Sequence, residues 1–416
     1  MIKYCARFSL EPVGQGLFYT GKIGSFNMVY DCGSMKALNK ISSIIGDYKS
    51  RLGNSKIDML IISHLHLDHV SGIEELMKNT KVRYVFLPYL LPIQRLLLAL
   101  GGHAHLTESY LNLLIDPVSY FLELGADKVV LISGNNSKND ERYERNNDES
   151  PDGEFDLSSE DLNDEAIKLS DNEDLRKMVN DKDSQLFKEK FEGKILFKDH
   201  SGSVSLKKKW VFRFFSPPTK QNLSQLEKCV KQILPNTGKI NNAMLKEILS
   251  NKGHLEKLKK CYENSFKQLN DTSLIVFHGP TKNYINSVLY PADSTRNMPS
   301  NYYFNHCKTE LESNVKFGWV LTGDVNFKKV SSAFLKHFSD CLDQMNNLLI
   351  PHHGSKGNWN LDIMKHVVSP GHWFVSFGLG NNHHHPNADV ISDIVTSGNS
   401  VSLCNDINRI DQYVFP

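Results

Sequence analysis

Short apolar runs bounded by glycine-bearing turns alternate along the chain with stretches of helical spacing, the pattern of a mixed α/β protein. Tyr4–Leu10 and Phe26–Tyr30 predict strands on either side of the turn Val13-Gly14-Gln15-Gly16, and Asp31-Cys32-Gly33-Ser34 follows the second. Leu38, Ile41, Ile44 and Ile45 recur at helical spacing within Lys36–Arg51. Ile57–Ile62 is a short apolar run of the kind expected for a buried strand, and it ends at Ser63 and His64. Arg83–Leu87 predicts another strand. Helical stretches follow at Pro92–Leu100 and Ser109–Leu124, then a strand at Lys128–Ile132.

Beyond that point the pattern lapses. Residues 135–180 are rich in Asn, Ser and Asp and too poor in apolar side chains to fold alone, so a loop or disordered segment is expected there. Trp210–Phe215 resumes strand character, Pro217-Pro218 stops it, and Lys220–Leu269 reads as mostly basic helix with Leu223, Leu226, Val230 and Leu234 on one face. Strands are expected at Ser273–Phe277, Tyr284–Leu289, Gly318–Leu321, Leu348–Ile350, Trp373–Phe377 and Gln412–Phe415, and helices at Val330–Met345 and Ala388–Thr396.

Composition changes the picture in four respects. The 416 residues are 40% hydrophobic, enough for one large or two modest cores. No apolar run reaches the roughly 20 residues of a spanning helix, and the N-terminus lacks a secretion signal, so a cytoplasmic protein with no membrane partner is expected. The seven cysteines contain no C-x-x-C pair and read as reduced thiols. Finally, the net charge of +1 hides an asymmetry: Asp140–Asp174 holds 15 acidic against three basic residues, a balance of −12, which leaves +13 for the rest. That much positive charge suits an anionic substrate.

The chemistry concentrates in Ser63-His64-Leu65-His66-Leu67-Asp68-His69, four metal-ligating side chains within six positions at the mouth of a buried strand. Imidazoles at i and i+2 can converge on one ion from an extended backbone. A carboxylate and imidazole at i+4 and i+5 open the next helix and face a second ion, so the spacing suggests a dinuclear centre.

H-x-H-x-D-H after an apolar strand resembles the signature of the metallo-β-lactamase fold family. The flanking segments resemble, in order, the branch containing the hydrolase domain of the competence protein ComEC: Val13-Gly14-Gln15-Gly16, Val29-Tyr30-Asp31-Cys32-Gly33, Asn270-Asp271-Thr272-Ser273, Leu321-Thr322-Gly323-Asp324, Pro351-His352-His353-Gly354-Ser355 and His385-Pro386. The resemblance implies an αββα sandwich, with a hydrolase core of residues 1–90 and 268–416 and an insertion at 91–267. It implies a first metal held by His64 and His66, a second by Asp68 and His69, Asp324 bridging, and His353 in preference to His352 as the late histidine. The family's further first-metal histidine before Ser273 is missing. Asn270, Asp271 or His385 is expected to substitute, and Leu17 replaces an aspartate of the pattern. His385 is also the candidate proton donor to a leaving group, Lys356 and Ser273 are candidate substrate contacts, and Asp68 is assigned a catalytic role.

The expected cofactors are two divalent ions, Zn²⁺ or Mn²⁺, and the expected reaction is hydrolysis, of a phosphodiester first because of the charge and the ComEC-like pattern. The expected partner is a nucleic acid or nucleotide, with a protein partner reachable through the insertion. Two alternatives stand beside this: a subunit of a defence or DNA-processing complex with weak or conditional hydrolysis, and a small-molecule ester or lactone hydrolase.

Overall fold

The computed structural model describes residues 6–36, 38–101, 107–134, 157–182, 191–217, 223–234, 240–263, 273–281, 288–292, 318–367 and 371–415. Its first sheet is built from β1 (Ala6–Leu10), β2 (Tyr19–Ile23), β3 (Phe26–Tyr30), β4 (Ile57–Ile61), β5 (Val82–Pro88) and β6 (Ala126–Ser133), with β11 (Val288–Ala292) and β16 (Ile410–Phe415) beyond β1. The second runs through β9 (Trp210–Phe215), β10 (Ile275–Pro280), β12 (Trp319–Leu321), β13 (Asn347–Leu349), β14 (His372–Ser376) and β15 (Ser400–Cys404). The twelve-residue strand β8 (Ile195–Leu206) joins them. Its first half pairs parallel with β6, and its second half pairs antiparallel with β9 and with β7 (Ile167–Asp171).

The two sheets face one another across large apolar side chains from alternate positions, among them Phe8, Tyr30, Met59 and Phe86 on one side and Phe212, Phe214, Trp319 and Phe374 on the other. Phe86 and Phe214 stack with centroids 5.2 Å apart, a contact worth about 0.5–1.5 kcal/mol beyond the area it buries. Helices cover both outer faces. On the first sheet lie α1 (Leu38–Leu52), α4 (Pro92–Gly101), α5 (Glu108–Ile115), α6 (Pro117–Glu123) and three further helices, α8 (Ser224–Ile233), α9 (Asn242–Ser250) and α10 (Lys252–Glu263). On the second lie α11 (Phe327–His337) and α12 (Ala388–Thr396). The layering is the expected αββα.

Several expectations are corrected. Residues 91–267 are no simple insertion: β6, β8 and β9 carry the ladder from β5 to β10 and complete both sheets. The reading missed this because β8 is polar where it crosses between sheets, at Lys198–Ser201. The helix expected over Ser109–Leu124 breaks at Asp116, whose carboxylate caps α6 by accepting from Ser119 N at 3.0 Å ahead of Pro117. The long basic helix is three helices, and Asn241 and Asn251 divide them. Among the cysteines, Cys32, Cys341 and Cys404 are free and buried, whereas Cys229 is disulfide-bonded, against the expectation of reduced thiols throughout.

Within the acidic segment, residues 135–156 lie outside the described residues, but 157–182 form a turn, β7 and the helix α7 (Glu173–Lys182). Leu157 O accepts from Ser25 N at 2.8 Å on the β2–β3 turn. Glu160 lies 3.7 Å from Lys56, Asp161 lies 3.4 Å from Lys207, and Asp164 pairs with Lys128 and accepts from Tyr84 Oη at 2.8 Å. Of the partners of this strap, Lys56, Tyr84 and Lys128 stand at or near the N-terminal ends of β4, β5 and β6, and Lys207 follows β8. The strap's side chains are partly exposed, so each pair adds little; together they hold acidic chain against basic residues.

The opposite, C-terminal end of β3 and β4 is packed backbone to backbone. Leu17 N donates to Asp68 O at 3.1 Å, Cys32 N to His69 O at 2.9 Å and Gly33 N to Leu17 O at 3.0 Å. A Cβ on Gly33 would stand 2.4 Å from His69 N. Gly33→Ala should therefore destabilise by about 1–3 kcal/mol, because only backbone is there to give way. Gly46, inside α1 with nothing within 4 Å of its Cβ position, should gain about 0.5–1 kcal/mol as Ala. Urea unfolding of the two variants measures both.

Candidate metal centre

Parallel pairing makes β3, β4, β12, β13 and β14 end on one rim, and each is followed by a short loop that carries polar side chains inward. His64 and His66 follow β4, and Asp68 and His69 open the short helix α2 (Leu67–Val70). Asp324 follows β12, and His352 and His353 follow β13. Ligating atoms of Asp68, His69, Asp324 and His353 lie within 4.8 Å of one another, and so do those of His64, His66 and Asp324. The two groups share Asp324. Its Oδ1 lies 3.2 Å from His69 Nε2 and 4.0 Å from His353 Nε2, and its Oδ2 lies 3.7 Å from His64 Nε2.

Each imidazole is aimed by its other nitrogen or its backbone. Asp31 Oδ2 takes His69 Nδ1 at 2.7 Å, and Asp31 Oδ1 accepts from Ser63 N at 2.7 Å. Ser63 Oγ lies 2.9 Å from His64 Nδ1, and Ser273 Oγ lies 3.3 Å from it while accepting from Asp324 N at 3.0 Å. His353 Nδ1 donates to Ser376 O at 2.8 Å. Tyr110 Oη, on α5, donates to Leu65 O at 2.9 Å and ties the helical layer to the loop. Such partners fix which nitrogen of a ligating histidine faces a metal.

The electrostatics are those of a cation site. Burial opposes charge on Asp68 and Asp324, yet neighbouring histidines hold both carboxyls well below their ordinary range. Burial likewise opposes protonation of His69, but Asp324, Asp68 and Asp31 outweigh it and raise its pKa well above 6.5. His353 is raised too, against burial, by Asp68 and Asp324. His64 and His66 are pushed down by burial and stay neutral, ready to donate. The Nε2 atoms of His64 and His69 are buried with no aligned hydrogen bond, turned toward the shared carboxylate. Two imidazoles and a carboxylate oxygen on one side, and two imidazoles with two carboxylates on the other, are donor sets that fit divalent ions.

Other expected site residues are placed differently. Ser273 is fully buried behind His64 and Asp324, where it orients them and cannot meet a substrate. Lys356 pairs with Asp389 on α12, is exposed, and is not brought to the donors. His385 belongs to neither group: its ring lies 5.6 Å from that of His352, and burial together with His352, His353 and His383 lowers its pKa to about 4. It is neutral at physiological pH and ill suited to donate a proton. Asn270 and Asp271 lie outside the described residues. Leu17 is buried between the sheets and leaves the site to its backbone. Asp31, Ser63 and Tyr110 were not assigned roles from the sequence. Asp31 closes its strand at φ 56°, a conformation of which the sequence carries no sign, and nothing in the residue types around it points to His69.

Residues 17–88, from β2 to β5 with the loop bearing His64–His69, match the family model of the metallo-beta-lactamase superfamily. The fold is of the metallo-β-lactamase type. Among solved structures, the chain is similar to the metallo-beta-lactamase fold protein YhfI from Bacillus subtilis, at 9% identity over 98% of this chain and 99% of that one, TM-score 0.37. It is also similar to a long form RNase Z from yeast, at 12% identity over 98% of this chain and 41% of that one, TM-score 0.32. No curated protein matches the chain. A metallo-β-lactamase fold implies divalent metal binding, which the donor set fits.

Metal binding and protonation compete here, because a ligating imidazole must be neutral. In the metal-free chain His69 carries a proton at neutral pH, so Zn²⁺ binding should release about one proton or more per chain, and affinity should fall as pH falls. The raised pKa of His69 stabilises the metal-free fold fully below the unfolded value of 6.5 and is lost as pH rises through the folded value. The lowered values of Asp68 and Asp324 act oppositely: their stabilisation is present above 3.8 and lost as pH falls through their folded values. Calorimetry in buffers of different ionisation enthalpy counts the protons, and melting curves against pH should show an alkaline decline that added Zn²⁺ abolishes.

Proposed function

We propose that the protein is a dinuclear metal-dependent hydrolase whose substrate is a phosphodiester, a nucleic acid or a nucleotide. The observation that carries this reading is the pair of donor groups sharing the buried carboxylate of Asp324. Two Zn²⁺ or Mn²⁺ ions bound there would lower the pKa of a shared water and neutralise charge developing on phosphate oxygens. The chain's own residues do the positioning. Asp31 holds His69, Ser63 and Ser273 flank His64, and Asp324 fixes the separation of the two groups. The side chains of His352 and Asp68 are 24% and 16% exposed, and His66 is half-buried beside them, so a substrate approaches over these and past His385, while His64, His69, Asp324 and His353 are closed in by the sheets.

The choice of phosphodiester is supported by charge. The chain carries +13 outside its acidic segment, and part of that segment is bound at the far end of the sheet, away from the donors. Helices α8 to α10 bear seven lysines against four glutamates in the described residues, and α9 and α10 pack on α4 and α5, whose Tyr110 touches the loop. The ComEC-like order of the motifs supports the same class.

Elemental analysis should find about two divalent ions per chain, and Asp68→Ala should fold normally yet lose hydrolysis of labelled DNA, RNA or cyclic dinucleotides. His69→Ala is a poorer test, since it strands Asp31 as a buried unpaired carboxylate and should cost several kcal/mol of stability, roughly 3–5. A polyanionic substrate should bind with an affinity that falls steeply with salt. Two bound ions with no cleavage would favour a subunit of a larger assembly. A flat salt response with ester or lactone turnover would replace the phosphodiester, and a chain that takes up no metal would end the metal-hydrolase reading.

A further inference from the structure

The two donor groups are unequal. Among the described residues, four side chains serve the group around His69, but only His64, His66 and Asp324 serve the other. The resemblance places another imidazole just before Ser273, at Asn270 and Asp271, which lie outside the described residues; Ser273 itself offers a hydroxyl that sits behind His64 Nδ1 rather than before its Nε2. The next histidine along β10, His278, is fully buried between the sheets against Tyr19 Oη at 3.1 Å and cannot turn to the rim.

Among the described residues, one further imidazole faces the poorer group. His352 Nε2 lies 3.7 Å from Asp324 Oδ2, the oxygen that His64 Nε2 also meets at 3.7 Å, whereas His69 and His353 face Oδ1. His352 is not within the 4.8 Å group of His64, His66 and Asp324, but its Nε2 meets the oxygen that group shares, and its side chain is 24% exposed on the rim. The backbone explains how neighbours in sequence face different oxygens. His352 and His353 have φ of 47° and 54°, a left-handed conformation that non-glycine residues seldom adopt. It leaves their rings 6.1 Å apart and 72° from coplanar. His352 N donates to Gly323 O at 3.1 Å, so the loop is pinned to the turn that carries Asp324.

We propose that His352 is the fourth protein donor of the first metal site, in place of the imidazole missing before Ser273, and that the left-handed His352–His353 pair divides one loop's imidazoles between two ions. This rests on the metal-hydrolase reading. It makes the first site a three-imidazole, one-carboxylate set, and it makes that ion's hold depend on a loop that the substrate must pass.

The test is a calorimetric titration of the full chain with Zn²⁺ and with Mn²⁺, alongside absorption spectra of the Co²⁺ form. His352→Gly removes the donor and suits a left-handed backbone, so the fold is kept; melting of the metal-free variant checks this. The wild type should take up two ions. His352→Gly should weaken one site about tenfold or more, leave the other unchanged and alter the Co²⁺ spectrum of the weakened site only. His352→Asp, whose short side chain also tolerates the conformation, should restore Mn²⁺ binding more than Zn²⁺ binding, because oxygen donors suit the harder ion. Wild-type affinities for both ions in His352→Gly would overturn the assignment, as would loss of an ion in His385→Ala with none lost in His352→Gly. A wild type that binds no ion would defeat the metal-hydrolase reading as well, which separates the two failures.

Discussion

Burying the carboxylates of Asp31 and Asp324, with Asp68 half-buried, beside a ring of imidazoles is the constraint around which the rim of this protein is organised. Removing such charges from water costs several kcal/mol per ion, and only close, well-aimed partners recover it. Asp31 recovers it through His69 and two bonds from Ser63. Asp68 and Asp324 have imidazoles alone, and the protons those imidazoles carry in the metal-free chain stand where cations of higher charge would bind. The centre is thus held in readiness by its own electrostatics, at a cost to stability that the sandwich must cover.

The sandwich covers it by supplying rigid ends. Both sheets run parallel where they deliver donors, so the loops after β4, β12 and β13 leave the core at the same rim, and the large aromatic layer between the sheets fixes their spacing. Asp324 belongs to one sheet and His69 to the other. Their 3.2 Å separation is therefore a measure of how the sheets pack, and substitutions in the aromatic layer should be felt at the centre without touching it.

Much of this was legible in the sequence. The His64–His69 motif, the turn before Asp324 and the paired histidines announce themselves by residue type and order, and the strands nearest them, β3, β4, β12 and β13, are short apolar runs with clear ends. What was not legible depends on distance in the chain or on mixed polarity. β2 and β15 carry too few apolar residues in alternation to register, and β8 changes its burial pattern midway because it changes partners. Asp31 reads as an ordinary turn residue until its bond to His69, 38 positions away, is seen. Ser273 and Lys356 were misassigned for a related reason: nearness to a motif says nothing about which way a side chain points. The ordering of 157–182 was missed because composition counts charges and cannot see that they meet lysines and a turn elsewhere.

A strand that belongs to both sheets has a consequence for handling the molecule. The seam at β8 is covalent, so the layers cannot be expressed as separate pieces, and a shortened chain that omits 195–215 would expose the edges of β6 and β10 together as two open templates for strand addition. Ser133 ends β6 on the rim of the donor loops, whereas Leu157 rejoins the fold at the β2–β3 turn on the opposite end, so the chain between them must span the length of the sheet, and no short linker can replace it without unseating the strap or the seam.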